Sequence, residues 1–99
     1  MTTDDSTATQ QEAVELPPRQ PGEPAPDVLV YATGQKAVLD VYRSGRWHQG
    51  IVRERLRFPH GGTAYKVLLD LGTGRHEVRT YIWPTGLRVK FVPKAAPSL

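Results

Sequence analysis

No cysteine occurs in the 99 residues, so no disulfide staples the fold and no thiolate serves as nucleophile or metal ligand. That absence fits a reducing compartment. Long apolar runs are missing too, and nothing approaches the roughly 20 residues a membrane-spanning helix needs. Met1-Thr2-Thr3-Asp4-Asp5 is acidic where a secretory leader would be basic and then apolar. A cytoplasmic protein is expected. Histidine is scarce: His48, His60 and His76 fall on separate predicted elements with no carboxylate or thiol spacing beside them, so no metal site is expected. Glu54 and Glu77 are the only glutamates beyond the first 27 residues, and no serine has a sequence-evident base. Neither paired-carboxylate nor nucleophilic catalysis is signalled, so no enzymatic activity and no cofactor are expected. Gly72-Thr73-Gly74 is too short for a phosphate loop and has no helix after it.

Charge, by contrast, is abundant and unevenly placed. Residues 1–27 carry six carboxylates against Arg19, a net −5, whereas residues 28–99 carry twelve cations against four carboxylates, a net +8. Arginine outnumbers lysine, and its planar fork suits phosphate. An acidic tail on a strongly basic domain points to a polyanionic partner, with the tail as an intramolecular competitor.

Residues 1–27 are rich in Thr, Gln, Glu and Pro, with too little apolar surface to offset ordering entropy; a disordered, acidic, Pro-rich tail is predicted there. Pro17 to Pro26 reads as a semi-rigid polyproline II spacer. Residues 28–93 read as one small β-domain, and 94–99 as a frayed end. Val28 to Tyr31 is a short lead-in. Gln35 to Tyr42 alternates, with Ala37, Leu39 and Val41 inward. A turn at Arg43-Ser44-Gly45-Arg46 leads into a long strand, Trp47 to Phe58, where Gly50 leaves room for close backbone approach. Val52 and Leu56 are predicted inward, so Arg53, Arg55 and Arg57 line the opposite side. Glu54 then falls inward, at a rim or at a register-breaking bulge. Tyr65, Val67 and Leu69 form the core side of a third strand, with Lys66 outward. Arg75 to Ile82 is a fourth, with Arg75, Glu77 and Arg79 on one parity. After a tight turn at Trp83-Pro84-Thr85-Gly86, Leu87 to Phe91 is the last.

The layout is a meander of short strands, and the segment from Gly34 to Val89 resembles a Tudor-type domain of the SH3-like class. The resemblance rests on Gly34-Gln35-Lys36, Gly45-Arg46-Trp47, Val52, Asp70-Leu71-Gly72-Thr73 and Leu87-Arg88. It implies an all-β, five-stranded SH3-like barrel. The family's aromatic cage holds methylated lysine or arginine by cation–π contact. This chain has Leu71, Thr73 and Leu68 at three positions where the family has Tyr, Asn and an aromatic, so only Tyr42 and His48 sit near cage positions.

The expectation is a non-enzymatic binding module that engages DNA or RNA through a basic strand face of Arg53, Arg55, Arg57, Lys66, Arg75 and Arg79. The alternative is a protein-interaction adaptor that takes a peptide, acidic or methylated, in a groove near Tyr42, Trp47, His48 and Phe58.

Overall fold

The structure is a computed structural model that describes residues 9–99. The tail's predicted disorder over residues 1–8 lies outside the described residues. The fold is all-β: β1 (Asp27–Val30), β2 (Val38–Arg43), β3 (Arg46–Arg57), β4 (Thr63–Gly72), β5 (Arg75–Ile82) and β6 (Leu87–Phe91). All pairings are antiparallel, in the order β5-β4-β3-β2-β6, with β1 added to β3. Five strands were expected and six form, because Asp27–Val30 pairs with the second half of the long β3 while β2 pairs with the first. Among the described residues there is no helix, and hence none long and apolar enough to cross a membrane.

Strand alternation sets the core. Leu39, Val41, Val67 and Leu69 are fully buried, with Val52, Tyr65, Tyr81 and Leu87 beside them. Gly50 lies opposite Leu39 and Leu69; a Cβ there would sit 3.3 Å from the Cβ of Val67, so the missing side chain lets β2, β3 and β4 close on one another. Two tight hairpins fix register. Ser44 (φ 55°) and Gly45 (φ 78°) both turn left-handed between β2 and β3, as a two-residue loop matched to strand twist requires.

A bulge between Val52 and Glu54 takes Arg53 out of the ladder. Beyond it, the alternation changes sides. Arg55 lies opposite buried Tyr65, so Arg55 and Arg57 share the core-facing side, while Leu56, expected inward with Val52, is only half-buried. One extra residue therefore undoes the three-arginine stripe read from simple alternation.

Both ends of the described chain are on the domain. Within the segment expected to hang free, Ala13 donates from its backbone N–H to Tyr42 O (2.9 Å), Ile82 to Val14 O (2.8 Å) and Leu16 to Thr80 O (2.9 Å). Residues 13–16 thus run beside β5 and touch β2. The last six residues, expected to fray, also pack down: Ala96 and Leu99 lie against the core, and Ser98 O accepts from Tyr31 Oη and Arg55 Nη1.

Candidate functional site

The six cations of the expected basic face fall in three places. Arg53 and Lys66 are on the outer side of β3 and β4, with Lys66 Nζ 4.0 Å from Glu54 Oε2. Arg55 and Arg57 are on the core-facing side, where Arg55 lies under the C-terminal segment. Arg75 and Arg79 share the core-facing parity of β5 and surround Glu77, at 3.8 and 3.3 Å, together with Arg43 at 3.0 Å. Arg79 also reaches Glu15 of the tail at 3.6 Å. No single face carries all six. The physical reasons are the bulge at Arg53 and the carboxylate at Glu77, which gathers three guanidinium groups around itself. Their charge, led by the Arg43 hydrogen bond, holds the Glu77 carboxyl below its ordinary 4.5.

The four residues expected to form an aromatic groove are also separated. Tyr42 and Trp47 are cross-strand partners in an edge-to-face pair, 5.1 Å between ring centroids. The Arg88 guanidinium lies 4.1 Å from the centre of the Trp47 ring, while its Nε donates to Asp40 Oδ2 at 3.2 Å. A cation of the chain itself thus occupies the indole face that a methyl-lysine cage would offer. His48 is opposite Val41 on the other side of β3, its Nε2 3.1 Å from Arg43 O. Phe58 stacks on His60 beyond the far end of the strand, 5.4 Å apart.

What the fold does bring together is an apolar row on the outer face. Val38 lies opposite Ile51, Ile51 opposite Leu68, Leu68 opposite Val78, and Phe91 continues the row beside Val38. Val78 is 43 % exposed and Phe91 56 %. The segment from Tyr31 to Lys36 rises beside this row and is tied to the bulge, since Tyr31 N donates to Arg53 O at 3.0 Å. Between that segment and the sheet lies a groove of about 730 Å³. Its floor is Ile51, Leu68 and Val78; Lys36, Arg53 and Lys66 edge it, with Glu54 the one carboxylate. Lys36 and Arg53 have no ion-pair partner among the described residues.

Tyr31, whose segment borders the groove, turns its side chain to the core, where burial pushes the hydroxyl above its ordinary 10.0, partly offset by Arg55 and Arg57. That hydroxyl stays neutral at physiological pH and donates to the carbonyls of Pro97 and Ser98 at 3.4 and 3.3 Å. No set of three His, Cys, Asp or Glu side chains among the described residues is arranged to hold a metal ion. The groove offers an apolar floor with unbalanced positive charge at its rim.

Of the residues singled out from sequence, Arg53 and Lys66 belong to this groove. Lys36, Leu68 and Val78 were missed, although apolar side chains at outward parity on successive strands were a readable signal. Compared with known proteins, the chain matches no family model, no curated protein and no solved structure.

Proposed function

We propose that the chain is a non-enzymatic binding module, built as an SH3-like, Tudor-like barrel, that takes a short apolar peptide segment flanked by carboxylates in the outer groove. One observation carries the reading: Ile51, Leu68 and Val78 form a half-exposed apolar floor beside Lys36 and Arg53, two cations without ion-pair partners among the described residues. Apolar floors with a few convergent polar groups are the usual make-up of ligand sites, and the floor supplies affinity while rim charge steers encounter and orientation. The surplus of cations over the whole domain supports the same sign of partner.

The other reading, DNA or RNA along a strand face, required six cations on one surface, and these are spread over three. The module holds its ligand through the apolar floor and the charge at the rim.

Amide chemical-shift mapping on the full chain tests this. An acidic–apolar peptide should perturb Ile51, Arg53, Leu68 and Val78 together and keep most of its affinity at raised salt. Random DNA and RNA should show at most weak binding that vanishes with salt. Tight oligonucleotide binding with a steep salt slope, and no peptide response, would overturn the proposal.

A further inference from the structure

The strand ladder ends at β5 on one side and β6 on the other, and a second surface lies between them. The edge of β5 from Thr80 to Ile82 is covered by residues 13–16, which pair Glu15 with Tyr81. The cover is short: three backbone hydrogen bonds, the Glu15–Arg79 ion pair, and Ala13 against the core. Gly86 is shaped to it. A Cβ there would overlap the backbone of Glu12 and Ala13, so the passage admits a main chain only because Gly86 has no side chain. The cleft is therefore a preformed acceptor for one extended acidic–apolar strand.

The connection that delivers this strand is also distinctive. Val14 O accepts from Ile82 N, Trp83 N donates to Thr63 O, Thr63 lies opposite Arg57, and Arg57 opposite Asp27. The seam and β1 are thus about 19 Å apart along the sheet, four strand spacings. Residues 17–26 could reach roughly 33 Å if extended, and they fold back through one turn. In it Glu23 N donates to Gln20 O at 3.1 Å, Pro21 precedes Gly22, and Gly22 has φ 86°. Straightening this one turn carries the strand away from its own body with every seam contact able to re-form elsewhere.

We infer that the cleft between β5 and the β2–β6 side accepts residues 12–16 of a second copy of this chain, giving a strand-exchanged dimer in equilibrium with the self-closed monomer. The occupant follows from the fit. The copy's segment has the same small residue at Gly86, the same carboxylate at Arg79 and the same backbone register, and an uncovered β5 edge is an open template for pairing. Tethering holds the chain's own segment at an effective concentration of about millimolar, so the monomer dominates in dilute solution and exchange grows with concentration.

The absence of cysteine makes the test direct. Full chains carrying Val14→Cys are mixed with full chains carrying Ile82→Cys and oxidised gently. Exchange brings these two positions together only between molecules, so a disulfide-linked heterodimer should form, with a yield that rises with chain concentration. It should exceed several-fold the dimer that chains carrying Val14→Cys form with one another by collision. Yields no higher than that collision control, even after unfolding and refolding at high concentration, would overturn the inference. A second variant lacks residues 18–25, which leaves a reach of about 11 Å and forbids self-closure. It should sediment as a dimer or larger exchanged species, whereas a folded monomer would count decisively against exchange. The mixing experiment leaves the linker whole and does not depend on that variant folding.

Discussion

Two groups of three cations on this domain end in opposite states. Around Glu77, three arginines converge on one half-exposed carboxylate, and a second acid, Glu15, arrives from the N-terminal segment. At the outer groove, Lys36 and Arg53 stand beside apolar side chains with no ion-pair partner among the described residues, and Lys66 meets Glu54 only at 4.0 Å. The first group is spent inside the molecule, tying β2, β5 and the tail together. The second remains available to a ligand. Counting positive charge does not distinguish them; the position of one carboxylate does.

The strongest perturbation removes what both regions stand on. Leu39→Ala empties a fully buried position between β2 and its neighbours and should cost about 2–5 kcal/mol in urea unfolding, with ligand affinity and Glu77 linkage lost together in the unfolded fraction. Separating the regions comes next. Leu68→Asp replaces a half-buried floor residue and should weaken peptide binding by at least about thirtyfold, the scale of a hot-spot loss, as read by calorimetry. The fold should persist, because the side chain faces outward.

Charge reversal then sets the two groups against each other. Lys36→Glu with Arg53→Glu should weaken peptide binding about tenfold and leave the melting temperature nearly unchanged. Arg75→Glu with Arg79→Glu should do the reverse, lowering the melting temperature while the groove binds normally. Equal effects of both pairs on binding would erase the distinction drawn here. The smallest effect is on acid stability. Glu77 titrates below 4.5 in the folded protein, so its contribution is present above that value and disappears as pH falls through its lowered folded value. Glu77→Gln should therefore flatten the part of the stability profile below pH 4.5, measured by denaturant titration at successive pH values.

Much of the sheet was legible because strand chemistry is local. Leu39 and Val41, then Tyr65, Val67 and Leu69, recur at every second position and do face the core. Ser44-Gly45 turns where a two-residue hairpin was expected. The site was less legible. Arg53, Arg55 and Arg57 keep perfect alternation in sequence, and a single bulged residue divides them between two sides of the sheet. The bulge was one of two readings open at Glu54, and only pairing with Lys66 on β4 shows which holds. Trp47 was placed beside a peptide groove in the alternative reading, and its face is taken by Arg88, forty-one positions along the chain. The tail's composition could not reveal that Gly86 leaves a passage for Ala13.

The sequence by itself determined the all-β character, the identity of the central core and the excess of positive charge, because side-chain period, turn chemistry and charge are properties of neighbouring residues. The tertiary structure alone decided which cations are neutralised, which apolar residues line up across five strands, and where the acidic segment lies. Those depend on register between distant strands, and a one-residue slip in register moves a side chain from one face of a sheet to the other.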